Sequence, residues 1–123
     1  MSFAVAQYRQ SNVETASPAQ LVVKLYEGAL RFMRQGQAAI RNGEVAKKGA
    51  ALGRAHAIVA ELQATLHAEH APELCESLDR LYEFVLFQIT ESNRHGKAEP
   101  LDPAIRVLDE LRSAWAEVAK QAK

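Results

Sequence analysis

Ser17-Pro18 fixes where one long helix begins, and the residues that follow give that helix more apolar surface than a single neighbour can cover. A serine hydroxyl accepts from the unpaired N–H groups of a first helical turn, and proline fits the first helical position because its missing N–H would have no partner there. Beyond it, Leu21, Leu25, Ala29, Phe32 and Gly36 recur at steps of three and four, which aligns them on one face. Val23, Tyr26, Leu30 and Met33 repeat those steps on a second face. A helix with two apolar stripes needs two sets of neighbours or a partner chain.

The same periodicity and punctuation place three more helices. The first helix runs from Pro18 to about Arg41 and stops at Asn42-Gly43. A second spans about Glu44 to Ala68, with Leu52, Ala55, Val59, Leu62 and Leu66 in heptad spacing. A third opens at Pro72 and runs to about Asn93, ahead of His95-Gly96. A fourth takes Asp102 as cap and Pro103 as first residue, with Ile105, Leu108, Leu111, Trp115 and Val118 inward. Short connections favour antiparallel neighbours, so the fold expected is an all-α, antiparallel up-down four-helix bundle. Residues 1–16 follow no helical or strand period despite Phe3, Val5, Tyr8 and Val13, and are expected to form an N-terminal arm on a single domain of 123 residues.

The third helix carries an anomaly. Leu74, Leu78, Leu81, Tyr82, Val85 and Ile89 share one face, which sends Phe84 and Phe87 to the opposite side, where water is expected. Leu81-Tyr82-Glu83 also echoes Leu25-Tyr26-Glu27 of the first helix, a sign of similar packing demands on both. Tyr26 and Tyr82 serve equally well as groove residues or as core packing.

Charge and composition narrow the function classes. Fifteen basic and fifteen acidic residues cancel, which argues against nucleic acid as ligand. The halves differ, however: residues 1–60 hold eight Lys/Arg against three Asp/Glu, and residues 61–123 hold seven against twelve. Complementary hairpins facing each other account for that asymmetry, and so does a basic patch for an acidic partner. One cysteine, Cys75, allows no internal disulfide and suits a reducing cytoplasm. No apolar run approaches membrane-spanning length, and no signal-peptide core is present, so a cytoplasmic protein is expected.

Catalytic and metal constellations are missing from the sequence. The Glu-x-x-His pairs of di-iron bundles do not occur. His67 and His70 flank Glu69 without further convergent ligands, so no metal and no cofactor is expected. Ala55-His56-Ala57-Ile58 resembles the start of a histidine phosphotransfer motif, but Val59 and Ala60 stand where that motif has Lys and Gly. The alternative to phosphotransfer is a histidine flanking a bundle seam.

The Val13–Phe32 block, with Tyr8 and Asn12 before it, resembles the hallmark of the flagellin-specific export chaperones, the FliS-type family. The resemblance continues through Ala55, Ile58, Val59 and Glu61-Leu62, Leu81-Tyr82-Glu83-Phe84, Glu91-Ser92-Asn93 and Leu108 to Trp115. It departs at Glu27, where aspartate is commoner, and at Phe87-Gln88, where many relatives carry basic residues. The resemblance implies a non-enzymatic chaperone that binds the C-terminal segment of flagellin, prevents premature polymerisation, and meets a component of the flagellar type III export gate. It further implies that Tyr8, Val13, Leu21, Leu25, Tyr26, Leu81, Tyr82 and Val85 form or support the client groove. Phe84 and Phe87 are left for client contact or for self-association in a homodimer.

Overall fold

The computed structural model describes residues 17–66 and 71–121, folded as four helices. They are α1 (Pro18–Arg41), α2 (Val45–Ala64), α3 (Pro72–His95) and α4 (Leu101–Gln121). The expected arm, with Tyr8 and Val13, lies outside the described residues, as do His67, Glu69 and His70.

Each helix end has a local cause. Ser17 Oγ accepts from Gln20 N–H, and Gln20 Oε1 accepts from Ser17 N–H, a reciprocal capping box with Pro18 in the first turn. At the other end of α1, Glu44 N–H reaches Ala39 O at 2.8 Å and Gly43 N–H reaches Ile40 O at 3.1 Å. This pair of bonds is a Schellman closure, and it needs the left-handed φ of +70° that Gly43 supplies. Gly96 ends α3 in the same conformation, its N–H bonded to Ser92 O, while the buried Ser92 hydroxyl donates to Lys97 O at 2.6 Å.

Two boundaries differ from expectation. The second helix stops at Ala64 instead of continuing to residue 68. Thr65 Oγ1 donates to Leu62 O, and Leu66 N–H turns to Gln63 O, so the ladder tightens into a three-residue turn and ends. Leu66 still packs on the core from beyond the helix. The fourth helix starts at Leu101, because Leu101 and Asp102 N–H groups bond to Ala98 O and Glu99 O in the preceding turn. Pro103 then sits inside the first turn, where a missing donor costs nothing, and Asp102 turns its carboxylate to Gln37.

Packing follows an up-down ring in which α1 touches α2 and α4, and α3 touches α2 and α4. Gly28 faces Ile58 while Gly36 faces Leu52, so numbers fall along α2 as they rise along α1. Gln63 meets Asp79 and Glu83 near one end of the α2–α3 pair, and Lys48 meets Asn93 at the other. The core comprises Tyr26, Leu30, Met33, Leu52, Val59, Tyr82, Val85, Ile89, Leu101 and Leu108, closed by alanines where helices approach. On α4 the inward set is Leu101, Ala104, Leu108 and Ala119, with Ile105, Leu111 and Trp115 half-buried. Val118, expected inside, is 47 % exposed, because it falls nearly a quarter-turn from the Leu108 line, toward the α3 side.

Gln37 is the polar tie between the ends of α1 and α4. Its Nε2 donates to Ala98 O at 3.0 Å and to Asp102 Oδ1 at 2.8 Å from a buried position. Gln37→Ala removes both bonds, but Leu101 N–H still donates to Ala98 O and the exposed Asp102 carboxylate can turn to water, so a loss of about 0.5–1.5 kcal/mol is expected in urea titration.

Candidate functional site

Tyr26 and Tyr82 occupy the same depth on α1 and α3, which run parallel across the diagonal of the bundle. Their hydroxyls hydrogen-bond to each other, with ring centroids 6.4 Å apart. The Trp115 indole N–H donates to Tyr26 as well, which ties α4 into the same contact. Both tyrosines are buried, and burial is the main reason their phenols are held well above the ordinary value. The echo between Leu25-Tyr26-Glu27 and Leu81-Tyr82-Glu83 thus marks two residues that meet.

The remaining expected groove residues divide between two flanks. Leu21 and Leu25 lie on the side of α1 that also carries Gly28 and Phe32. That side faces α2, where Ile58 approaches Gly28 and Arg54 sits 5.7 Å over the Phe32 ring. Leu81 lies on the side of α3 that carries Gln88, whose Nε2 donates to Pro100 O just before α4. Leu21, Leu25 and Leu81 are half-buried, whereas Tyr26, Tyr82 and Val85 are interior residues beneath the surface. No one groove is lined by all six.

The open apolar surface lies on α3 and α4, the least closely packed of the neighbouring pairs. Leu74, expected on the inner face, is 58 % exposed near the N-terminal end of α3, and Val118 is open near the C-terminal end of α4. Leu81 on α3 and Leu111 and Trp115 on α4 are half-buried. Phe84 is 40 % exposed and Phe87 60 % exposed, in the outward positions their spacing requires.

A second groove, about 400 Å³, runs between α2 and α3 and is lined by Leu52, Gly53, His56, Ile89, Asn93 and Arg94, among others. Helical periodicity alone gave no sign of it, since it arises where Gly53 leaves the α2 surface without a side chain. His56 is exposed on its rim. Val59, in the place of the phosphotransfer lysine, belongs to the core.

The charge asymmetry of the two hairpins survives in the fold. Lys47–Glu44, Arg80–Glu76, Arg112–Asp109 and Lys120–Glu117 pair close along their own helices. The hairpins are bridged by Gln37 to Asp102, by Gln63 to Asp79 and Glu83, and by Lys48 to the Asn93 carbonyl. In these three bridges among the described residues the donors are two amides and one lysine, the lysine bonding to a neutral carbonyl oxygen. Among the described residues no group of three or more His, Cys, Asp and Glu converges as a metal site. No helix among them is long and apolar enough to cross a membrane.

Fold and surface together define an all-α four-helix bundle with exposed apolar side chains on α3 and α4. The chain belongs to the FliS family: the family model described as "Flagellar protein FliS" matches residues 1–122. It is 35 % identical over 108 residues to the flagellar secretion chaperone FliS of Vibrio cholerae, covering 88 % of this chain and 79 % of that one. Against the flagellar secretion chaperone FliSB of Pseudomonas aeruginosa it is 32 % identical over 116 residues, covering 91 % and 92 %. A crystal structure of a bacterial flagellar chaperone superposes with a TM-score of 0.79 at 20 % identity, covering 96 % of each chain, and shares the fold. The family is one of secretion chaperones, not an enzyme class.

Proposed function

We propose that this protein holds the C-terminal segment of flagellin in the α3–α4 cleft as an amphipathic helix. Exposed Leu74 and Val118 with half-buried Leu81, Leu111 and Trp115 carry this reading, because they offer apolar side chains on α3 and α4 of the kind that a helix-in-groove partner covers. Holding the segment there blocks its pairing with other flagellin copies, and the loaded complex is handed to the type III export gate in the bacterial cytosol. The task needs surface and no chemistry. A disordered client gives up conformational freedom when it folds onto the cleft, on the order of 2–5 kcal/mol, which the buried apolar area offsets.

In this reading Tyr26, Tyr82 and Val85 support the cleft from beneath by fixing the spacing of α1, α3 and α4. Leu21 and Leu25 lie on the α1–α2 flank, within reach of a client long enough to pass over the end of the bundle. Tyr8 and Val13 complete the set that matches the family pattern.

Titration calorimetry against the C-terminal segment of the same organism's flagellin tests the proposal, with circular dichroism to follow helix gain. One-to-one binding, a negative heat-capacity change and added helicity are expected. Leu74→Ser with Val118→Ser, both at exposed positions, is expected to weaken binding by about tenfold or more while shifting the thermal midpoint little. Unchanged affinity in that double variant, with the native chain binding, moves the client to another flank. Failure of the folded native chain to bind overturns flagellin as client.

A further inference from the structure

We infer that the outer face of α3 is a self-association surface on which two copies of this chain pair through antiparallel α3 helices about a two-fold axis. Ser77, Arg80, Phe84, Phe87, Glu91 and Arg94 follow one another at alternating steps of three and four. That spacing keeps them on a single stripe along the helix and matches the seam of a two-helix contact. The stripe lies on the outer side of α3, with Arg94 bordering the groove toward α2 and Phe84 the margin toward α4. Its centre is the pair of exposed phenylalanines, and exposed apolar rings at the centre of a regular seam are what such a contact buries.

Charge fixes the orientation. In a parallel pairing each residue meets its own copy, so Arg80 would face Arg80 and Glu91 would face Glu91. In an antiparallel pairing centred between Phe84 and Phe87, each Phe84 meets the other copy's Phe87, and each Arg80 meets the other copy's Glu91. Four rings then stack at the middle, flanked on both sides by an arginine–carboxylate pair. The next layer sets Ser77 against Arg94, which is free of like-charge contact. Arg80 and Glu91 already stand extended along the helix, bonded to Glu76 at 2.7 Å and to His95 at 3.5 Å. The Arg80–Glu76 pair is exposed and Glu91 is half-buried beside exposed His95, and in-helix pairings so near the surface are weak enough to be shared with a second copy.

A contact of one helix with one helix falls at the low end of specific interfaces, below about 1,200 Å² in total. The dimer is therefore weak, concentration-dependent and loosened by salt, since its flanking pairs are near solvent. Phe84 borders both this stripe and the α3–α4 cleft, so dimerisation and occupation of the cleft compete at that edge. The dimer itself rests on the α3 stripe alone and does not depend on the identity of the client.

Sedimentation equilibrium of the full chain over a concentration series tests the pairing. A monomer–dimer equilibrium is expected for the native chain, with Phe87→Ser giving monomer across the same range and an unchanged thermal melt. Arg80→Glu and Glu91→Arg should each weaken the dimer roughly tenfold, because each change acts at two symmetry-related pairs. The double reversal, Arg80→Glu with Glu91→Arg, should restore it. A native chain that stays monomeric throughout overturns the inference. So does a dimer that survives Phe87→Ser, or one that the double reversal leaves as weak as the single variants.

Discussion

Gly36→Ala is expected to destabilise the fold by about 1–2 kcal/mol, although a glycine-to-alanine change inside a helix ordinarily stabilises by about 0.5–1 kcal/mol. The reason is the distance between α1 and α2. A Cβ on Gly36 would collide with Leu52 Cδ2 and come within 2.8 Å of Leu52 Cγ, so the whole fully buried Leu52 side chain, and not only its tip, has to shift. Overpacking of this kind costs about 1–3 kcal/mol, which exceeds the helix-propensity gain. Gly28, two turns earlier on the same helix, provides the control: its Cβ would stand 3.5 Å from Ile58 Cδ1, an ordinary contact, so Gly28→Ala should be neutral or slightly stabilising. For a domain of this size each kcal/mol moves the thermal midpoint by roughly 3–5 °C, so the two variants should melt on opposite sides of the native chain or nearly so. Leu52→Ala alone opens a cavity, at a cost of about 2–5 kcal/mol. Combined with Gly36→Ala it should lose less than the sum, since the added methyl enters the space the leucine vacates. Additive losses would mean that the two residues do not share one site.

Helix count, order and most ends were legible in the sequence because each has a local signal. Ser17-Pro18 and Gln20 close a capping box, and Gly43 and Gly96 supply the left-handed residues that end α1 and α3. The ends that moved are those decided by tertiary partners. Asp102 looks like a cap when read beside Pro103, but Gln37 on α1 claims its carboxylate, and the helix begins at Leu101. Leu74 and Val118 lie on or near the inward arcs of their helices by spacing, yet both are open, one near the N-terminal end of α3 and the other near the C-terminal end of α4. A periodic pattern reports which way a side chain points, but not whether anything stands there. For the same reason Phe84 and Phe87 could be assigned outward from spacing alone, whereas the split of Leu21, Leu25 and Leu81 between two flanks could not. That split depends on which helix lies on each side of α1 and α3, and ring order is a property of the assembled bundle. The opposite charges of the hairpins fit either mutual pairing or a basic patch for a partner; among the described residues Gln37, Gln63 and Lys48 bridge the hairpins, and their partners are visible only in three dimensions.

Tyr26→Phe is expected to cost more than Tyr82→Phe, although the two lose the same atom. Tyr26 is the shared node: its hydroxyl bonds to Tyr82 and accepts from the Trp115 indole. Removing it leaves the Tyr82 hydroxyl, 3 % exposed as a residue, and the Trp115 N–H both without that partner. At about 1–3 kcal/mol for an orphaned buried group, with half-buried Trp115 recovering part of its bond from water, a loss of about 2–3 kcal/mol is expected. Tyr82→Phe leaves the Tyr26–Trp115 bond intact and should cost about 1 kcal/mol. The double variant should be more stable than the sum of the two predicts, because Tyr26→Phe no longer strands a Tyr82 hydroxyl. The same pair sets the alkaline limit of the fold. In the unfolded chain both phenols ionise near their ordinary value of 10.0, while in the folded chain burial raises both. Their contribution is therefore complete below pH 10 and is lost as pH rises from there toward the raised folded values, because the unfolded state gains by releasing protons that the folded state retains. Urea titrations from about pH 8 to pH 11 should show stability falling for the native chain and falling less for the double phenylalanine variant. Equal alkaline slopes in the two proteins would place the proton linkage elsewhere, and equal losses for the two single variants would remove Tyr26 from the centre of the network.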